Sequence, residues 1–279
     1  MPYLRRIYLV PPDLEDAFSA DLWMEGTLGV RSDATPDGRV RLEAWFPEGA
    51  PPWDGDDWPS RGAVVVGEEE QPDTDWLAEY RERARPFPVG RTLFVDPREP
   101  DEPAVEIPEG RRLLRLPARA AFGTGSHEST SLAFELIEDL NLQGKRVLDV
   151  GTGTGVLSFA ALLAGASAAV GFDLDPASPF HARDNSSLNG LFPRLFAGRV
   201  AAVREAPLFD LALVNVVPEQ ILPEMPGIVR RLRPEGELIL SGILAERGRQ
   251  VLDRMRGLGF AEAGRREAGD WVAFRVARA

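Results

Sequence analysis

Three alternating glycines carry the clearest chemical signal in this chain, in Val147-Leu148-Asp149-Val150-Gly151-Thr152-Gly153-Thr154-Gly155. An apolar strand pattern runs into them and an apolar helical pattern opens at Val156. Glycines at a strand-to-helix junction permit a tight turn and a close approach of ligand to backbone. The N–H groups at the helix start favour an anionic ligand group there. A dinucleotide fingerprint places its third glycine one residue later, where Val156 stands. Two more polar residues end apolar strand patterns downstream: Asp173, at a distance that suits an acid accepting hydrogen bonds from ribose hydroxyls, and Asn215, in Val214-Asn215-Val216-Val217-Pro218. Ligands of open parallel sheets sit beyond the carboxyl ends of the strands, which turns Asn215 toward the ligand. Plainer readings stand beside these. Asp173 also suits a strand-end turn with Asp175-Pro176, and Asn215 an N-cap for a helix opening at Pro218.

A second glycine-rich segment lies upstream, Ala121-Phe122-Gly123-Thr124-Gly125-Ser126-His127-Glu128-Ser129-Thr130, entering a helix predicted over 131–140. Phe122 is placed to cover a cofactor ring and the Thr130 hydroxyl to bond a polar cofactor atom; the plainer reading is a loop with Ser126 or Ser129 capping the helix. His127 invites the role of general base because an unperturbed imidazole titrates near neutrality, but orienting the loop is the reading preferred. His181 falls inside a helix pattern and reads as structural or exposed. With no cysteine and only these two histidines, disulfides, thiolate zinc sites and multi-histidine metal sites are excluded or disfavoured, and no metal is expected.

The elements that must hold these residues fall into two groups. From residue 145 onward, strands are predicted at 146–150, 168–172, 199–203, 211–214, 237–241 and 271–276. Helices are predicted at 156–164, 176–189, 218–232 and 245–258. Such alternation specifies an α/β fold, a mostly parallel sheet covered on both faces. The front reads as a small α+β domain: strands at 6–10, 27–31, 40–46 and 63–66, and a helix at 14–24 with Asp13 as its cap. An acidic run, 68–75, leads into a charged helix at 76–85, and proline-rich extended segments fill 86–117. The expected organisation is a small α+β domain at 1–70, a linker helix at 71–88 and a larger α/β domain at 89–279.

The form D-x-G-x-G-x-G is the one usual in S-adenosylmethionine-dependent methyltransferases. The fuller set resembles one family of them, the ribosomal protein L-eleven methyltransferases (PrmA). That set is Phe-Gly-Thr-Gly-x-His at 122–127, the loop at 151–155, Asp184-Asn185 and Asn189-Gly190, Asn215, Ser241-Gly242-Ile243-Leu244, and Trp271 before the final strand. The likeness spans nearly the whole chain. It implies a Rossmann-like catalytic domain with a mostly parallel seven-stranded sheet, a small N-terminal substrate-recognition domain and S-adenosyl-L-methionine as cofactor. Cofactor contacts would fall on Thr130, Gly151, Asp173 and Asn215, with Phe122 and Gly123 beside them and Asp149 and Gly153 in the same loop. The implied reaction is transfer of methyl groups to lysine side chains and the N-terminal amine of ribosomal protein L-eleven, with Asn215 positioning the amine. Ala118-Arg119-Ala120 stands where the family has Pro-Gly-Met. Val216 and Val217 after Asn215 replace the N-P-P-[YF] signature of adenine and glutamine methyltransferases, which disfavours those substrates.

Charge agrees with a basic partner. The chain carries 44 Asp and Glu against 32 Lys and Arg, for a net charge of -12. The excess is lopsided: residues 1–117 hold 25 acids and 14 arginines, residues 118–279 hold 19 acids and 18 bases. Such a front repels nucleic acid and attracts basic proteins, so no direct nucleic acid binding is expected. No apolar run is long enough for a membrane helix and the start does not read as a signal peptide, so a cytoplasmic monomer is expected. Rival readings are a methyltransferase of another protein or a small amine, a nicotinamide-dependent oxidoreductase, and a non-catalytic ribosome-binding module.

Overall fold

The computed structural model describes residues 3–47, 49–50, 58–71, 84–117 and 127–279, and the chain divides into two compact units, Met1–Trp76 and Leu77–Ala279. The first is built on β1 (Tyr3–Val10), α1 (Glu15–Met24), β2 (Gly29–Ala34), β3 (Val40–Pro47) and β4 (Val64–Gln71), an antiparallel sheet in the order β2-β3-β1-β4. Alternate residues Tyr8 and Val10 of β1 and Leu42, Ala44 and Phe46 of β3 join Phe18 and Leu22 of α1 in one core. Trp58 closes it, edge-on to Phe18 at 5.0 Å, with its indole N–H donated to Asp21 at 2.8 Å. Asp13 does not stand ahead of α1 as a cap. It lies inside a 3-10 turn, Pro12–Leu14, that leads into the helix. The acidic run also departs from expectation, since Glu68, Glu69 and Glu70 belong to β4. Across the ladder β1 offers arginines to them: Arg6 bonds Glu68 and Arg5 bonds Glu69, both at 2.6 Å. Cross-strand charge pairing makes a strand of what reads alone as a solvated lead-in. The expected linker helix lies largely outside the described residues.

The second unit opens with a three-stranded sheet, β5 (Phe87–Val89), β6 (Leu93–Asp96) and β7 (Arg112–Arg115). It is tied to α2 (Glu128–Glu138) by one carboxylate: Glu138 accepts the backbone N–H groups of Arg91 and Thr92 and the Thr92 hydroxyl at 2.6–2.9 Å. The main sheet then alternates β8 (Arg146–Val150), α3 (Val156–Leu163), β9 (Ala168–Asp173), α4 (Ser178–Asn189), β10 (Arg194–Ala197), β11 (Phe209–Asn215), α5 (Pro218–Ile221), α6 (Met225–Val229), β12 (Leu232–Leu244) and α7 (Gly248–Arg256). A terminal hairpin, β13 (Phe260–Ala268) and β14 (Trp271–Arg278), completes it. Its order is β10-β9-β8-β11-β12-β14-β13, parallel from β10 to β12 and antiparallel in the hairpin. The α/β class and the seven strands are as expected. Strand alternation feeds two cores: Val147, Leu211 and Leu213 pack on the α2 and α3 side, Leu148, Ala212 and Val214 on the α6 and α7 side.

Three elements differ from the sequence reading. The strand beside β9 is 194–197, not 199–203. Leu195 fits over the bare Cα of Gly171, where a Cβ would lie 2.9 Å away, and Phe196 stacks on Phe172 at 5.7 Å. Val200 and Val203 are buried instead beside a 3-10 turn, with the buried Arg231 donating to the Val203 carbonyl. The helix expected over 218–232 is two short ones, because Pro223 and Pro226 interrupt its backbone ladder. The missed strand is β13, mostly exposed and rich in charge, a composition that suits an edge.

Candidate functional site

The strand order reverses beside β8, which lies between β9 and β11. The carboxyl ends of β8, β9, β11 and β12 therefore present Val150, Asp173, Asn215 and Ser241 toward one edge of the sheet. Gly151, Gly153 and Gly155 all take positive φ, at 71°, 52° and 85°. A Cβ on Gly151 would lie 2.5 Å from the Val216 side chain, so the backbone there stays bare only because the residue is glycine.

The loop spends its own N–H groups internally. Gly151 and Thr152 donate to the Phe172 carbonyl, Gly155 to Thr152, and Gly153 to the Asp173 carboxylate at 2.9 Å. At the start of α3 the Ser158 N–H and hydroxyl and the Thr152 hydroxyl converge on one oxygen of Asp149, at 3.1, 2.7 and 2.7 Å. The positive end of this helix thus already faces a carboxyl group of the chain. The other Asp149 oxygen is buried without a hydrogen-bond partner. Burial pushes the Asp149 carboxyl above the usual carboxylate range, against the pull of the Ser158 and Thr152 donors. Such an oxygen suits a cationic ligand group.

Asp173 is half-buried, its oxygens oriented by the N–H groups of Gly153 and Asp175 at 2.9 and 3.0 Å. A carboxylate has about four lone-pair positions, so acceptor capacity is left for ribose hydroxyls. The strand-end turn with Asp175 is also present, and the two readings of this residue are compatible.

Asn215 is not a helix cap. The position before α5 is Val217 and makes no side-chain cap, whereas Asn215 Nδ2 donates to the Thr130 hydroxyl at 3.1 Å. Its Oδ1 lies over Gly242, 3.1 Å from where a Cβ would stand, and Gly242 has φ 74°. The neighbouring strand adds Ser241, buried, whose hydroxyl donates to the Ser129 carbonyl at 2.6 Å. The first turn of α2 is thereby stitched to the ends of β11 and β12. The cap of α2 is His127 rather than Ser126 or Ser129: its Nδ1 accepts the Ser129 N–H at 3.3 Å and lies 2.8 Å from the Ser129 hydroxyl. Its ring meets Trp271 edge-to-face at 4.7 Å. That environment orients the start of α2. His181 is half-exposed on α4, away from these bonds.

Asp149, Thr130, Gly151, Gly153, Asp173 and Asn215 thus gather around the ends of β8, β9 and β11, while Phe122 and Gly123 lie outside the described residues. Sequence reasoning gave no role to Ser241, Asn185 or Asn189, although the motifs containing them were noticed. Asn185 donates to the Thr154 carbonyl at 3.1 Å, and Asn189 brackets the backbone of Arg115. Among the described residues no group of three or more His, Cys, Asp and Glu is placed to hold a metal ion, and no helix is long and apolar enough to cross a membrane.

The family model for ribosomal protein L11 methyltransferase (PrmA) matches residues 58–279. A ribosomal protein L11 methyltransferase of Geobacter metallireducens is 35% identical, over 92% of this chain and 84% of its own. Its counterpart in Deinococcus radiodurans is 33% identical over 98% of both chains. The crystal structure of ribosomal protein L11 methylase from Lactobacillus delbrueckii subsp. bulgaricus superposes with a TM-score of 0.63 at 28% identity, covering 69% of this chain and 98% of that one. The chain belongs to the ribosomal protein L11 methyltransferase (PrmA) family.

Proposed function

We propose that this protein is an S-adenosyl-L-methionine-dependent N-methyltransferase that methylates lysine side chains and the N-terminal amine of ribosomal protein L11 in the cytoplasm. Membership of the family carries the reaction class and the substrate. For the use of an amine, the supporting observation is the Asn215–Thr130 pair, which leaves a carboxamide oxygen as acceptor at the end of β11. When bound, the cofactor supplies an electrophilic methyl group on a sulfonium cation.

In this reading Asp173 accepts the ribose hydroxyls, the bare backbone at Gly151 and Gly153 admits the amino-acid part, and Thr130 bonds a polar atom. The partnerless oxygen of Asp149 answers positive charge. Phe122 and Gly123 belong to the same reading as neighbours. A lysine amine has a reference pKa of about 10.4, so its deprotonation at neutral pH costs about 4 to 5 kcal/mol. Desolvation at the site, beside a cation, lowers that cost by disfavouring the ammonium form. Asn215 Oδ1 then accepts an amine hydrogen and aligns the lone pair, a contribution of orientation rather than of proton removal. His127 is engaged as the cap of α2, and no dedicated base is needed. The nicotinamide alternative loses ground because the loop donates its N–H groups to its own chain.

The test is calorimetric titration with S-adenosylmethionine of the parent and Asp173→Ala, followed by methylation of purified L11 with the modified amines located by mass spectrometry. Micromolar binding weakened at least tenfold by the substitution, about 1.4 kcal/mol, and methyl groups on L11 amines are expected. A folded parent that bound no cofactor, or that bound it and left L11 unmodified, would refute the reading.

A further inference from the structure

Helix α4 carries two asparagines one turn apart that face different parts of the fold. Asn185, 1% exposed, donates Nδ2 to the Thr154 carbonyl at 3.1 Å. Asn189 accepts the Arg115 N–H at 2.8 Å and donates to the Arg115 carbonyl and to the Asn185 carbonyl, both at 2.7 Å. One side chain therefore holds the glycine loop, and the other fastens the same helix to β7.

The glycine loop is tied to the segment running from Asp173 into α4 at two successive residues. The Gly153 N–H goes to the Asp173 carboxylate and the Thr154 carbonyl receives Asn185. Glycine at 151, 153 and 155 gives the turn its shape but supplies no side chains to fix it, so polar ties must set the position of the loop. The tie through Asp173 uses a carboxylate that also serves the ligand. The tie through Asn185 is independent of any ligand. It also satisfies a buried carbonyl that would otherwise lose a hydrogen bond.

We propose that Asn185 is a positioning residue for the cofactor: by holding the Thr154 carbonyl it fixes the separation between the glycine loop and Asp173, so that the amino-acid part and the ribose of one cofactor are met together. The inference rests on the reading that these residues bind S-adenosylmethionine. Asn189 supplies the control, because it bonds on the same helix without touching the loop.

Cofactor affinity is measured by calorimetry, with melting temperature and separate kcat and KM values for cofactor and L11, for the parent, Asn185→Ala, Asn185→Asp and Asn189→Ala. Asn185→Asp keeps the shape but replaces the donor with an acceptor. Both Asn185 variants are expected to raise the cofactor Kd about tenfold, leaving kcat at saturating cofactor and KM for L11 within about twofold. Asn189→Ala is expected to lower the melting temperature and leave the cofactor Kd near the parent value. A folded Asn185 variant binding as the parent does, or an equal loss in Asn189→Ala, overturns the proposal. Hydrogen exchange of the parent gives a reading that no variant can spoil: amides 151–155 should be protected before cofactor is added. Protection gained only on binding would show that the loop is not held in advance. A parent that binds no cofactor overturns the reading of the site itself, and with it this role, whereas a parent that binds normally beside unaffected variants overturns only Asn185.

Discussion

Asp149 shows how one side chain joins the folding of this site to its chemistry. Three donors converge on one of its oxygens while the other is buried unpaired, so ionisation is opposed by burial and only half compensated by hydrogen bonds. A carboxyl group whose folded pKa lies above its unfolded value favours the folded state at low pH, and loses that contribution as pH rises through the folded value. The cofactor-free protein is therefore expected to lose stability as pH climbs above the ordinary carboxylate range. Asp149→Asn keeps a carbonyl for the three donors and cannot ionise, so its melting temperature should depend less on pH than that of the parent. It should also bind S-adenosylmethionine more weakly, having no negative charge to offer a cation. Parallel pH profiles by calorimetry would contradict this account. Asp149, Asp173 and Asn215 were legible in the sequence because each interrupts or ends an apolar strand beside small or turn-forming residues. Ser241 as stitch was not, since it depends on the Ser129 carbonyl that the fold brings close, and His127 as cap was not, because histidine lies outside the usual Ser, Thr, Asp and Asn capping set.

At the scale of elements the glycine loop is shaped by backbone conformation and by contact with the next strand, and the two contributions can be separated. In Gly151→Ala the new methyl meets Val216 and the residue is held at φ 71°. A side chain in the left-handed region costs about 1 to 2 kcal/mol, and overpacking typically adds about 1 to 3 kcal/mol. Adding Val216→Ala should relieve the steric part and leave the conformational part. Denaturant melts of the parent, both single variants and the double variant should therefore show a positive coupling between the two sites. Strict additivity would mean that Val216 does not confine the loop. The strand and helix ends around this loop were readable because local signals and tertiary demands agree there: the β8 expectation of 146–150 is the observed Arg146–Val150. They disagree at β10, where the open space over Gly171 selects Leu195 and no local pattern could say so. They disagree again at β4, where Arg5 and Arg6 turn an acidic run into a strand.

Charge is a property of the whole chain, and its front and back carry it unevenly. Residues 1–117 hold 25 acids against 14 arginines, and residues 118–279 are nearly balanced at 19 against 18. Long-range attraction of a basic protein substrate depends on that excess and is screened beyond about 10 Å at about 0.1 M salt. Cofactor binding, in the reading proposed above, relies instead on close contacts around the strand ends, where screening is weaker. The two steps should therefore separate when ionic strength is varied. Raising salt from about 0.05 to about 0.3 M should lower kcat/KM for L11 several-fold, mainly through slower capture, while the cofactor Kd measured by calorimetry moves less than about twofold. Single-turnover rates at saturating L11 should be indifferent to salt, because the proposed alignment of the amine by Asn215 is local. A kcat/KM that did not respond would mean that L11 is recognised through contacts and shape alone, leaving the acidic front without a part in its capture.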